Sequence, residues 1–210
     1  MEFLNYMALV KYNNNSISDV TSGASLSSGA MTLIKTVTAS SSATVSFIHG
    51  TSDVVLDSTY PIYVFKIINA HPQTDDKNLT FSYTSDGTNF NVDIVCTAFG
   101  ADHTEAGSGS MEYKAGNDPD SSGVQSIGAS TGADNDQASS GELTLFNPAS
   151  TTFVKHYMSR SSQARHSDAA QDFFTAGYCN TTSAITGIRF KFQSGNIDAG
   201  TFKLYGIKDS

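Results

Sequence analysis

The chain has 210 residues, with 12 Lys or Arg against 20 Asp or Glu, so its formal net charge is -8. That length fits one domain, and the acidic balance argues against nucleic-acid binding, because neutralising a run of phosphates needs a basic surface. The 30 Ser, 22 Thr and 17 Gly and the absence of Trp are unfavourable for helices and favour an all-β protein.

The first half of the chain alternates apolar and polar residues with a period of two, which predicts strands over 31–38, 43–49, 61–69, 79–84 and 90–97. The pair Asp86-Gly87 lies between the last two, and this dipeptide is a strong signal for a tight hairpin. Cys96 falls on the apolar side of 90–97. Because Cys96 and Cys179 have neither disulfide nor zinc-site spacing, we expect both to be reduced and buried.

The segment 99–142 differs from its surroundings, with eight acidic residues, eight Gly and one basic residue, Lys114. We expect a long acidic surface excursion, because loops of this length are usually functional or disordered. Short strands are expected within it at 111–115 and 124–128. Tyr113 is the aromatic residue deep in this segment, so it is the candidate binding residue.

Two acidic groups in the excursion place oxygen ligands at alternate positions, as calcium loops do. They make Asp118, Asp120, Asp134 and Asp136 weak candidates for Ca²⁺, although the remaining ligands of a known calcium loop are missing and the alternative is solvated turn residues. No other cofactor is expected. His103, Glu105 and Glu112 lie in the same segment and could ligate a metal or act as acid and base, or simply be solvated.

We predict no catalytic residue from the sequence. The pattern G-x-S-x-G at 128–132 matches a hydrolase nucleophile elbow, but that elbow needs a strand and a following helix. Here the pattern lies in a Ser- and Gly-rich part of an all-β chain. We therefore expect a chance match and a protein that is not an enzyme.

Strand patterning resumes over 142–147, 153–159, 173–179, 184–192 and 201–207, with one helical turn expected over 167–172 and capped by Ser167. Phe190 alternates with Arg189 and Lys191, which places it in the core. About ten short strands predict a single antiparallel β-sandwich, of jelly-roll type, over 1–210. Its parts are a first strand set (1–98), the excursion (99–142) and a second strand set (143–210).

Several stretches resemble small virion structural proteins of tailed bacteriophages, marine ones especially. They are SGELTLFNP at 140–148, FTAGY at 174–178, NTT at 180–182, IRFKF at 188–192 and SGNIDAGTFKLYGI at 194–207, with MALVKYNNNSI at 7–17 near the start. The resemblance covers 1–98 and 140–210, and its opening suggests Met7 as an alternative start. In the closing stretch Gly195-Asn196 supports a turn, so we expect a last hairpin that closes a sheet edge.

The resemblance implies a virion protein assembled in the host cytoplasm, in contact with other virion proteins and forming a homo-oligomer, often a trimer. We expect a non-enzymatic protein exposed on the particle, either a tail or fibre host-attachment module or a capsid decoration protein. The alternatives are a lectin-like module that binds a host surface glycan, and a polysaccharide depolymerase with its carboxylates among Glu105, Glu112 and Asp118. No apolar run reaches the ~18–20 residues of a membrane span, so membrane insertion is not expected.

Overall fold

The structure is a computed structural model that describes residues 31–117 and 123–208. It contains one short 3-10 turn at Ala115–Asn117 and antiparallel strands, so the predicted all-β class is confirmed. The strands are β1 (Met31–Ser42), β2 (Val45–Ile48), β3 (Ile62–Pro72), β4 (Lys77–Thr84), β5 (Ile94–Thr104), β6 (Gly109–Tyr113), β7 (Gln125–Thr131), β8 (Ser139–Phe146), β9 (Lys155–Arg165), β10 (Ala169–Cys179), β11 (Gly187–Phe192) and β12 (Ile197–Ile207).

Eight of these strands form nested antiparallel pairs. β1 pairs with β12, β2 with β11, β3 with β8 and β4 with β7. The pairings of β12 with β3 and of β11 with β4 join them into two sheets, ordered β1-β12-β3-β8 and β2-β11-β4-β7. Nested pairs in two facing sheets are what results when one long hairpin rolls up on itself, which is the jelly roll.

The other four strands enlarge the first sheet. β9 pairs with β8, and β10, β5 and β6 follow in that order. We call these four strands the extension. Along the chain they come from two insertions, β5 and β6 between β4 and β7, and β9 and β10 between β8 and β11. The larger sheet meets the smaller one at one bridge, between Thr131 of β7 and Arg165 of β9.

The core lies between the two sheets and is rich in aromatic rings. Phe65 of β3 lies 5.6 Å from Phe47 of β2 and 5.7 Å from Phe190 of β11, measured between ring centroids. Phe190 also lies 5.5 Å from Phe202 of β12. Phe190 is fully buried, which confirms its predicted inward direction. Such ring pairs contribute ~0.5–1.5 kcal/mol each beyond the area that they bury, so this cluster ties the sheets together.

The predicted hairpin around Asp86-Gly87 is wrong in its pairing, although the turn itself is present. A carboxylate oxygen of Asp86 accepts the backbone N–H groups of Thr88 and Asn89 at 2.8 and 2.7 Å, and Gly87 has a φ of +79°. However, β4 pairs with β7 and β11, whereas β5 pairs with β10 and β6. A jelly roll pairs strands that are distant in sequence, so a local turn signal does not identify the partner.

The expected C-terminal hairpin is wrong for the same reason. Gly195 has a φ of +73° in the turn between β11 and β12, but these two strands lie in different sheets. β12 pairs with β1 on one side and β3 on the other. The closing stretch is therefore an interior strand of the larger sheet and does not close an edge.

The helical turn expected over 167–172 is a hairpin turn instead. Asp168 has a φ of +53°, its N–H donates to the carbonyl of Arg165 at 3.1 Å, and β10 begins at Ala169. Ser and Asp favour both helix caps and tight turns, because their side chains bond to nearby backbone in either case. The antiparallel pairing of β9 with β10, which extends over eleven residue pairs, favours the hairpin turn over the helical turn.

The described parts of the segment 99–142, residues 99–117 and 123–142, form strands where a surface excursion was expected. They include most of β5, all of β6 and β7, and the start of β8, so the two short strands expected within the segment are present near their expected positions. β7 belongs to the jelly roll, and its Ile127 is fully buried. The sequence QSIGAST of β7 has one large apolar residue, which explains why its burial was missed.

Candidate functional site

The outer face of the extension is the candidate site. Side chains of β9, β10 and β5 alternate between the buried side and this face, most regularly in β9. The strand registers place Arg160, Phe174, Phe99 and Tyr113 in one row across β9, β10, β5 and β6. The sheet thereby presents a continuous line of large side chains to its outer surface.

This row includes three stacked planar groups. The rings of Phe174 and Phe99 are 4.8 Å apart and 8° from parallel, and the guanidinium carbon of Arg160 lies 4.7 Å from the centre of the Phe174 ring. Met158 and Met111 lie in the neighbouring rows on either side, with 59% and 73% of their surface exposed, and Tyr113 is 57% exposed. We call Phe99, Met111, Tyr113, Met158 and Phe174 the ridge.

A shallow groove of about 870 Å³ runs beside the ridge. Small residues form much of its floor: Ala101, Ser140, Ser162 and Ala170. Charged side chains and one imidazole line its sides: Lys66, His103, Glu142, Arg160 and Asp172. Because the floor is made of small residues, the groove can accept side chains from another molecule.

The charges of the outer face are paired with one another. Arg160 donates from Nε and Nη2 to the two carboxylate oxygens of Asp172, at 3.0 and 2.7 Å, and Lys66 pairs with Glu142. The hydrogen bonds to Asp172 raise the pKa of Arg160 above its ordinary value. The four groups carry no net charge together, in contrast to the chain as a whole.

The inner side of the extension carries a polar network beside a small buried apolar cluster of Ala98, Ala129 and Phe173. Gln163 donates to Gln171, which donates to a carboxylate oxygen of Asp102; Lys114 lies 2.9 Å and Arg165 3.4 Å from the other oxygen. Burial alone would raise the pKa of Asp102, but the bonds from Lys114 and Gln171 and the charge of Arg165 outweigh it and lower the pKa. The network holds β5, β9, β10 and the residue after β6 in one geometry.

The pKa of Lys114 also results from burial acting against ion pairing. Burial alone would lower its pKa, but the hydrogen bonds to Asp102 and Glu112 raise it. Glu112 is therefore an ion-pair partner of Lys114 on the extension.

The predicted binding residue Tyr113 lies on the outer face, in line with Phe99. Asp134 and Asp136 are exposed in the loop between β7 and β8, whereas Asp118 and Asp120 lie outside the described residues. Glu105 and His103 lie near the end of β5, and His103 lines the groove. Within 31–117 and 123–208, no group of three His, Cys, Asp or Glu side chains is placed to hold a metal ion.

The cysteines and the G-x-S-x-G pattern are the two remaining candidates for chemistry. Cys179 is buried and Cys96 is half-buried, and neither forms a disulfide. Burial raises the pKa of Cys179 to about 12, so its thiolate is not accessible at neutral pH. The G-x-S-x-G residues extend along β7 into the following loop, and the backbone N–H of Ser130 donates to Asn78 at 2.9 Å. They do not form the strand-to-helix elbow of a hydrolase.

The sequence reasoning missed four members of the site: Phe99, Met158, Arg160 and Phe174. A signal was present in the alternation of 155–163, where Lys155, Tyr157, Ser159, Ser161 and Gln163 are buried and Met158 and Arg160 fall between them. An apolar Met on the polar side of a strand marks an exposed contact position. The row of side chains that runs across β9, β10, β5 and β6, in contrast, depends on strand pairings that cannot be predicted from the sequence.

Comparisons of the chain with protein-family models, with curated proteins and with solved structures give no match. In the described part of the chain, no helix is long and apolar enough to cross a membrane.

Proposed function

We propose that this chain is a non-enzymatic structural protein of a tailed-bacteriophage particle, exposed on the particle surface, and that it acts by contact through the outer face of the extension. The observation that carries the proposal is the ridge. Met111, Tyr113 and Met158 each expose more than half of their surface, side by side with Phe99 and Phe174. Adjoining exposed apolar side chains mark an interaction surface.

The architecture supports a contact role. The buried network around Asp102 fixes the extension, so the ridge is held on a rigid sheet rather than on a loop, and little conformational entropy is lost when a partner binds. The jelly roll is common among viral capsid and lectin domains. The resemblance of 1–98 and 140–210 to virion structural proteins favours the particle, as a tail or fibre attachment module or a capsid decoration protein.

The test uses gradient-purified particles that carry either the natural chain or a variant. Met158→Glu places a charge on the ridge, and Phe153→Glu is the matched control, because Phe153 is 70% exposed in the loop before β9. We expect the natural chain at a stoichiometry that fits head or tail symmetry, and we expect Met158→Glu to reduce its incorporation or the adsorption of the particles to cells. A chain absent from purified particles, or a Met158→Glu variant that behaves as the control, would refute the proposal.

A second candidate function is glycan binding, favoured by the exposed ring of Tyr113 at the end of the ridge, since aromatic rings can stack on the apolar faces of sugars. Retention on a column of host surface polysaccharide, lost in Tyr113→Ala, is the expected sign of this function. Adding a chelator tests the expected Ca²⁺ ligands Asp118, Asp120, Asp134 and Asp136. Retention that is absent, or unchanged in Tyr113→Ala, would reject glycan binding at Tyr113.

A further inference from the structure

We infer that the outer face of the extension is the contact between two copies of this chain, related by a two-fold axis that inserts the ridge of each copy into the groove of the other. The inference rests on the proposed function in one respect, the use of this face as a contact surface, and it names the partner. Four observations on the described residues carry it: the geometry of the rings, the relief of the face, its charges and its size.

The ring geometry favours a protein partner over a sugar. Phe174 has Arg160 on the β9 side of its ring and Phe99 on the β5 side, at 4.7 and 4.8 Å from its centre. Both faces of this ring are therefore covered, which leaves its edge for contact with a partner. A sugar that stacks on an aromatic residue needs an open ring face, whereas ring edges and methionine side chains pack well against apolar protein groups.

The shape of the outer face is complementary to a second copy of the same face. The ridge stands beside a groove of about 870 Å³, whose floor is made of the small residues Ala101, Ser140, Ser162 and Ala170. In an isologous contact the same surface of both copies meets, so a raised patch needs a depression beside it. A two-fold axis between the ridge and the groove satisfies this condition, because it places the ridge of each copy over the groove of the other.

The charges of the face also suit a second copy. The chain has a net charge of -8, so two copies repel each other overall, but Lys66, Glu142, Arg160 and Asp172 are balanced on this face. Arg160 and Asp172 lie side by side on β9 and β10. A two-fold axis close to this pair brings Arg160 of each copy next to Asp172 of the other, so that each charge is shared between two partners.

The size of the face is sufficient for a stable contact. The five strands from β8 to β6 contain 46 residues in total. Each residue covers about 16 Å² of the sheet, at ~3.3 Å along the strand and ~4.8 Å across it. The resulting area of about 730 Å² falls within the ~600–1,000 Å² that each partner contributes to a standard protein interface.

The first experiment measures the mass of the purified full-length chain by light scattering over a range of concentrations. We expect twice the chain mass of 22.3 kDa and a conversion to single chains on dilution. Met158→Glu should raise the dissociation constant by about a hundredfold or more, because an apolar contact of each copy is replaced by a charge that must be desolvated. Phe153→Glu, the matched control outside this face, should keep the dissociation constant of the natural chain.

The second experiment exchanges the two charges. Arg160→Glu and Asp172→Arg should each weaken association, since each places like charges opposite one another in the symmetric pair. An equimolar mixture of the two variants should associate again, because both cross-copy contacts then join opposite charges. Each reversal also breaks the ion pair between Arg160 and Asp172 within one copy, so thermal unfolding followed by circular dichroism checks that each variant is folded.

Each result decides the inference. A dimer that Met158→Glu dissociates and that the mixed charge variants restore supports it. A natural chain that stays monomeric at all concentrations, a trimer, or a dimer unaffected by Met158→Glu would overturn it. A monomer whose retention on polysaccharide is lost in Met158→Glu would assign the face to a glycan instead. Because these measurements use purified protein, the inference can fail while the chain is still found in particles.

Discussion

Replacing Ile127 by Ala tests whether the acidic segment 99–142 contributes to the core. Ile127 is fully buried in β7, and the hydroxyl of Ser161 donates to its carbonyl at 2.6 Å, which limits how far the strand can move to fill a cavity. The substitution removes three carbon atoms, worth ~0.8 kcal/mol each in transfer free energy, and the remaining cavity adds to that loss. We expect a total of about 3–4 kcal/mol, within the usual ~2–5 kcal/mol for Ile→Ala.

The assay is thermal unfolding at one fixed protein concentration, because self-association would make the melting temperature depend on concentration. At ~2–4 °C per kcal/mol for a chain of this size, Tm should fall by about 6–16 °C. Ile127→Val should cost ~0.5–1.5 kcal/mol, and Asp136→Ala, at an exposed carboxylate of the same segment, should change stability by less than ~0.5 kcal/mol. A melting temperature for Ile127→Ala equal to that of Asp136→Ala would refute the placement of β7 in the core.

Three further predictions concern other parts of the fold. Phe190→Ala should lower the free energy of unfolding by ~3–5 kcal/mol, measured by urea unfolding, whereas Lys191→Ala on the opposite side should change it little; equal effects would contradict the register of β11. Lys155→Met should lower the free energy of unfolding by ~1–3 kcal/mol in the same assay, because the buried Lys155 ammonium donates to three backbone carbonyls. An unchanged free energy of unfolding would show that those carbonyls find other donors. Since the pKa of Asp102 is lowered in the fold, its stabilising effect is present above the unfolded value near ~3.9 and is lost as pH falls through the folded pKa. Asp102→Asn should therefore flatten the loss of stability that the natural chain shows as pH falls below about 4. A profile of stability against pH identical to that of the natural chain would contradict the role of the network.

The strands of the jelly roll were largely predictable from the sequence because their apolar positions alternate over several residues. Phe190 and Phe202 lie between polar neighbours, and this alternation alone assigns them to the core. β7 escaped prediction as a core strand because Gln125, Ser126 and Thr131 are polar yet buried. Their burial depends on partners in β4 and β9, which a single sequence does not identify.

Strand pairing was the part that local signals misassigned. Asp86-Gly87 and Gly195-Asn196 do form turns, but each turn leads the chain from one sheet to the other instead of joining neighbours in a hairpin. For the candidate site, Tyr113 was predictable as an isolated aromatic residue in an acidic segment. The stacking of Phe174 on Phe99 was not predictable, because it requires β10 and β5 to be neighbours although the two residues are 75 positions apart in the sequence.

A reconstruction of the bacteriophage particle that we propose contains this chain tests the central proposal most directly, namely that the protein is a particle component that makes contact through the outer face of the extension. We expect density for the jelly roll at symmetric positions on the particle surface, with the side chains of Met158, Phe174 and Tyr113 covered by a neighbouring molecule. A particle that lacks the chain, or one in which every copy leaves these side chains open to solvent, would contradict the account.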